Sequence, residues 1–179
     1  MIAFVTGGAA SGKSMLAERI AASHPGPRVY LATMRAEGAE ALARIERHRL
    51  QRVHAHFTLV ERPCGVDDAA LPADAAQGCV LLEDLGNLVA NEMFPADGPP
   101  RDADETADTV TRQVVALERR CALLVVVSPE AGAGTVEPGS PTEAYLRALG
   151  TCACRVAARA TEAHLCVAGA SICLKGAPR

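Results

Sequence analysis

The chain has 179 residues, 49% of them apolar and 22% charged, with a net charge of −3. That length suits one domain, spanning 1–179, with a core that needs no metal or disulfide staples. The acidic balance and 3% aromatic content argue against nucleic acid as a partner, which wants a basic surface and stacking rings.

No apolar run approaches the roughly 18 residues of a membrane span, and the opening MIAFVTGG carries no basic segment of a secretory leader. The seven cysteines are odd in number, form no C-x-x-C pair and sit partly inside apolar runs such as CALLVVV. They read as reduced thiols, so the expected location is the cytoplasm.

Short β-branched runs alternate with segments of helical period along the chain. Strands are predicted at 2–6, 28–32, 57–61, 78–83, 122–127, 163–169 and 171–175, and helices at 12–23, 36–53, 85–94, 104–119 and 141–160. Such alternation is the mark of an α/β fold with a mostly parallel sheet flanked by helices. The last two strands, in AHLCVAGASICLKG, are separated by a Gly-Ala pair suited to an antiparallel hairpin at the sheet edge. The stretches PADGPPRD and GAGTVEPGSP read as loops.

The most specific motif is Gly7-Gly8-Ala9-Ala10-Ser11-Gly12-Lys13-Ser14, which satisfies G-x-x-x-x-G-K-[ST] between the apolar strand IAFV and the helical run KSMLAERIA. Glycines let successive backbone N–H groups turn around phosphate oxygens, and the helix start adds its partial positive charge. Lys13 then reaches the β/γ oxygens and Ser14 ligates Mg²⁺. A glycine-rich cap is the bland alternative, but chance matches seldom carry both a strand and a helix as flanks. The chain is therefore expected to bind ATP or GTP with Mg²⁺.

A phosphate loop also needs an acid at the end of a buried strand to hold the metal, directly or through water, and CVLLEDL offers Glu83. One or both of Glu83 and the adjacent Asp84 could instead merely cap the helix starting near Leu85, a role that suits Asp84 better. In EALARIERHRLQR, residues Arg44, His48 and Arg52 fall at i, i+4 and i+8, a cationic stripe on one helix face that suits phosphate. A neutral imidazole flanked by arginines can attack phosphorus, which makes His48 a candidate nucleophile. Basic helix faces are most often merely solvated, and the residue pattern alone does not lift His48 above that reading. His24, His54, His56 and His164 rank lower, and no histidine set has metal-ligand spacing.

In order, TGGAASGKS, VYLATM, ARIERHRLQR, ERP, VLLEDLGNLVANEMF, LLVVVSPEAGAG and a terminal hairpin ending in LKG run over almost the whole chain. This ordered set resembles the bifunctional adenosylcobinamide kinase/adenosylcobinamide-phosphate guanylyltransferases of cobalamin biosynthesis. The resemblance implies a RecA-like P-loop NTPase fold and a corrinoid substrate that is first phosphorylated and then converted to adenosylcobinamide-GDP. It also implies a GMP-histidine intermediate on His48, a nucleotide-binding role for Glu61 of the ERP segment, and a homotrimeric assembly.

Three positions depart from the family's pattern: Arg47-His48 stands where some relatives have two histidines, Ser128-Pro129-Glu130-Ala131-Gly132 replaces T-N-E-V-G, and LGTCACRVAARATEAH lacks the usual mid-helix Asn. A small-molecule P-loop kinase without guanylyl transfer, or a nucleotide-binding paralogue without efficient chemistry, needs fewer of these residues and stays open on the sequence.

Overall fold

The computed structural model describes residues 1–35, 57–130 and 135–176. Its strands are β1 (Ile2–Gly7), β2 (Arg28–Ala32), β3 (Thr58–Glu61), β4 (Cys79–Glu83), β5 (Leu123–Pro129), β6 (Glu162–Val167) and β7 (Ala170–Lys175). The helices among the described residues are α1 (Lys13–Ala22), α2 (Leu85–Met93), α3 (Ala103–Glu118) and α4 (Pro141–Arg159). The helix expected at 36–53, with Arg44, His48 and Arg52, lies outside the described residues, as do His54 and His56.

The strands form one sheet in the order β3-β2-β4-β5-β1-β6-β7. Every neighbouring pair is parallel except β6 with β7, so the predicted antiparallel hairpin closes one edge. The chain leaves β1 toward β2 on one side and later passes from β5 to β6 on the other. Connections therefore diverge beside β1, and open α/β sheets bind ligands in the crevice that such a divergence leaves at the strands' C-terminal ends.

Both faces of the sheet are covered, which is why its central strands read as continuous apolar runs. Ala17, Ile20 and Ala21 of α1 pack on one face against Ala3, Val5, Leu81, Val125 and Val127. The alternate strand residues, among them Ile2, Phe4, Val80, Leu82, Leu124 and Val126, face α2, α3 and α4 and build the larger cluster. Neighbouring residues of a strand point to opposite faces, so one run such as Cys79–Glu83 feeds both clusters.

Three helix starts carry side-chain caps, of which the sequence reading singled out Asp84. The Asp84 carboxylate accepts from the Asn87 N–H at 2.7 Å, Asp102 accepts from Asp104 and Glu105, and Ser140 accepts from Glu143 just before Pro141. Two boundaries differ from expectation in an informative way. β5 runs on through Pro129, because Glu130 donates its N–H to the Gly7 carbonyl of β1, so the alternate position 129 faces the β4 side. Pairing of β4 with β5 has already ended at Leu82 and Val126, and no ladder bond is lost to the missing N–H. The hairpin turn is Ala168-Gly169, one residue earlier than the predicted Gly-Ala spacer, with φ of 48° and 83°. Two left-handed central residues are what a type I′ turn between twisted strands requires.

The far end of α2 is tied down by Glu92, a carboxylate only 6% exposed. It accepts from the Gly65 N–H at 2.8 Å, from Gln113 Nε2 at 2.8 Å and from Arg101 Nη1 at 2.9 Å, joining α2 to α3 and to the loop after β3. Burial pushes its pKa up, but the hydrogen bonds from Gln113, Gly65 and Arg101, with the Arg101 charge, outweigh that and hold it below the ordinary value of 4.5. A depressed folded pKa contributes stability above the unfolded value that is lost as pH falls through the folded one. Urea unfolding should therefore show wild type losing stability as pH falls below the ordinary carboxylate value of 4.5, with Glu92→Gln losing less over the same range. At pH 7 Glu92→Ala should be less stable by about 2 kcal/mol, since Gly65 and Gln113 lose their acceptor while half-exposed Arg101 turns to water.

Candidate nucleotide site

The loop from Gly7 to Gly12 links the end of β1 to the start of α1 at the C-terminal edge of the sheet. Close packing restricts its first glycine: a Cβ on Gly7 would lie 2.5 Å from the Cys166 carbonyl oxygen of β6 and 2.5 Å from Ser11 Oγ. Gly12 precedes the helix with φ of 92°, a left-handed conformation that glycine adopts without steric cost. Ala10, with φ of 54°, takes a similar conformation, and Ser11 donates its N–H to the Gly8 carbonyl at 3.3 Å to close the turn. Ala9 and Ala10 are exposed, and among the described residues nothing lies within 4 Å of where a Cβ on Gly8 would stand.

No side chain caps α1, in contrast to α2, α3 and α4. The first N–H groups of a helix have no intrahelical acceptor, and an uncapped start offers them, with the positive end of the helix dipole, to an anion. Lys13 Nζ donates to the Gly8 carbonyl at 3.1 Å and so lies across the loop. Ser14 Oγ donates to Glu83 Oε1 at 2.6 Å. Two residues 69 positions apart, singled out in the sequence as a metal-binding hydroxyl and carboxylate, thus share one point beside the loop.

Glu83 reaches that point because β4 ends there and its register puts the side chain on the α1 face. In the same row across the sheet stand Ala32 of β2 and Glu61 of β3. Glu61 is exposed and lies two strand spacings from Glu83, roughly 10 Å at the usual interstrand distance. The strand end is held by Thr33, which donates its N–H to the Glu83 carbonyl at 3.0 Å and its hydroxyl to the Asp84 carbonyl at 2.8 Å.

Other residues organise this edge that the sequence reading did not single out. Asn91 Nδ2 donates to the Thr33 carbonyl at 2.7 Å and to the Pro63 carbonyl at 3.0 Å, fastening the segments that follow β2 and β3. Arg35 donates to the Asn91 and Phe94 carbonyls at the end of α2, where a cation also suits the helix dipole. The only sign of Asn91 in the sequence was a second amide in GNLVANEMF, four residues after Asn87. At the opposite end of α2, Tyr145 Oη donates to the Gly86 carbonyl at 3.4 Å, and burial, followed by the nearby Asp84 charge, pushes its pKa up. Pro129 packs onto Gly86, where an added Cβ would come within 2.7 Å of its ring. His164 is buried on β6 with Nε2 3.4 Å from Glu162 Oε2, in keeping with a core role.

The arrangement can hold the phosphates of a nucleotide over the start of α1 and a hard cation between a hydroxyl and a carboxylate. Among the described residues no group of three or more His, Cys, Asp or Glu side chains could hold a metal by itself, and no helix is long and apolar enough to cross a membrane.

Residues 3–174 match the family model described as cobinamide kinase / cobinamide phosphate guanyltransferase. The bifunctional adenosylcobalamin biosynthesis protein CobP of Pseudomonas aeruginosa is 34% identical over 97% of this chain and 97% of its own length. The corresponding CobU proteins of Escherichia coli and Salmonella typhimurium are 32% and 31% identical, each over 98% of this chain and 100% of the relative. Among solved structures, the flagellar accessory protein FlaH of Methanocaldococcus jannaschii aligns with a TM-score of 0.49 and 12% identity, over 98% of this chain and 78% of its own. With a family match over nearly the whole chain and relatives above 30% identity end to end, this chain belongs to the cobinamide kinase / cobinamide phosphate guanyltransferase family, a family of transferases.

Proposed function

We propose that this chain carries out both family reactions at one nucleotide site: transfer of the γ-phosphate of ATP or GTP to the aminopropanol hydroxyl of adenosylcobinamide, then transfer of GMP from GTP to that phosphate. The observation that carries the reading is the convergence of Ser14 and Glu83 beside an uncapped helix start, in a chain of this family. In the first step the hydroxyl oxygen attacks the γ-phosphorus in line, the nucleoside diphosphate leaves, and Lys13 stabilises charge on the transferred group. The backbone N–H groups of Gly8 to Ser14 hold the triphosphate.

Mg²⁺ fits the donors here, a hydroxyl and a carboxylate 2.6 Å apart, because this ion is commonly held by one or two protein oxygens together with phosphate oxygens and water. When bound, it would neutralise charge on the β and γ oxygens. Ser14 and Glu83 would hold it.

In the second step, neutral His48 attacks the α-phosphorus of GTP and pyrophosphate leaves, giving a phosphoramidate to GMP. The phosphate of the corrinoid then attacks the same phosphorus, and the His48 nitrogen is released. Arg44 and Arg52, at i−4 and i+4 from His48 in the sequence, supply charge to that transition state, while Glu61 contributes to nucleotide recognition. These roles rest on the family resemblance and on helical spacing. A homotrimer is the corresponding assembly; Val167, Ile172 and Leu174 on the edge hairpin are more than half exposed and offer apolar area for it. Light scattering should return three times the 18.6 kDa chain mass, and a monomeric mass would overturn this assembly. A reducing cytoplasm suits the seven free thiols.

Incubation with α-labelled GTP and Mg²⁺ should leave an acid-labile, base-stable label on wild-type protein and none on His48→Ala, which should still phosphorylate adenosylcobinamide. Equal loss of both steps in His48→Ala would refute this division of labour. Lys13→Ala should lower both activities by about a hundredfold or more, the scale seen when a positioned charge donor is removed from a transition state. Glu83→Gln should raise the Mg²⁺ concentration for half-maximal kinase activity about tenfold, and an unchanged Mg²⁺ dependence would remove Glu83 from the metal site.

A further inference from the structure

We infer that the turn of the β6–β7 hairpin is a working part of the nucleotide site, and that Gly169 is a positioning residue for the phosphate-binding backbone. The inference deepens the phosphate-site reading and rests on it. The Gly169 N–H donates to the Ser11 carbonyl at 3.0 Å. The two segments also approach closely: a Cβ on Gly12 would lie 3.4 Å from Gly169 Cα.

The carbonyl of Ser11 and the N–H of Gly12 belong to one planar trans peptide, in which C=O and N–H point in opposite directions. A hydrogen bond that draws the Ser11 carbonyl toward the hairpin therefore turns the Gly12 N–H away from it, to the side where the loop meets a ligand. Without that bond the peptide can rotate, and the Gly12 donor must be reordered whenever phosphate binds. The hairpin is well placed to resist such rotation. Its first strand pairs with β1 up to Gly7 and Cys166, and Lys175 at its far end donates to the Ala157 and Ala158 carbonyls of α4.

Gly169 has φ of 83°, and among the described residues nothing lies within 4 Å of the position a Cβ would take. A substitution there acts through backbone conformation and not through a clash. Valine is excluded from a left-handed conformation, whereas Asn tolerates it and retains the N–H.

Gly169→Val should weaken binding of mant-GTP and mant-ATP about tenfold, the scale of one net hydrogen bond, and leave binding of guanosine, which has no phosphate, as in wild type. Gly169→Asn should restore triphosphate affinity to within about twofold of wild type. Triphosphate affinity in a folded Gly169→Val equal to wild type overturns the inference. A wild type that binds no mant-GTP overturns the phosphate-site reading itself, and the inference with it. A second measurement needs no variant: inorganic pyrophosphate titrated into ¹⁵N-labelled wild type should shift the amide signals of both Gly12 and Gly169, the latter through the shared peptide. A Gly12 signal that moves while Gly169 stays fixed overturns the inference.

Discussion

The contact between Ser14 and Glu83 depends on one constraint: parallel strands put all their C-terminal ends on the same edge of the sheet. β1 delivers the phosphate loop to that edge and β4 delivers the carboxylate, with β5 between them as a rigid spacer. Parallel strands need crossover connections, and those that carry helices cover both faces of the sheet. The site thus follows from the same arrangement that buries the core. Moving Glu83 by one residue along β4 would send its side chain to the opposite face, among the residues that pack on α2, α3 and α4.

Helix α2 carries the organisation outward from that contact. Its first residue follows Asp84, whose carboxylate caps it, and its last turn holds Asn91 and Glu92. Thr33 ties β2 to the β4 end, Asn91 ties the segment after β2 to the one after β3, and Glu92 ties the latter to α3. These are hydrogen bonds between partly or fully buried groups, where leaving a donor or acceptor unmade costs more than making the bond gains. A shift in any of these loops would therefore disturb several bonds at once, which keeps the row from Glu61 to Glu83 in a defined geometry.

The phosphate loop is supported from its other side by β6 and the hairpin, which meet it through Cys166 and Gly169. Glycines at positions 7, 12 and 169 permit this approach of three backbone segments, and each permits it for a different reason. Gly7 leaves room for a carbonyl, Gly12 allows the left-handed entry to a helix, and Gly169 completes a type I′ turn.

Local patterns made much of this readable from the residues alone. Seven strands and four helices fall within one or two residues of their expected limits, because both faces of the sheet are apolar and each helix has a period of its own. The phosphate loop with its flanking strand and helix was legible because the chemistry demands those residue types at short spacings, and Glu83 because it ends an apolar strand run. The family followed from motif order.

Strand order, the meeting of Ser14 with Glu83 and the bridging by Asn91 were decided only by the tertiary structure, as was the bond from Gly169 to Ser11. Each joins residues tens to more than a hundred positions apart, and residue spacing carries no distance information at that range. The difference is physical: periodicity and caps arise from interactions within a few residues, whereas these contacts exist only once the chain has closed its crossovers and aligned its strand ends.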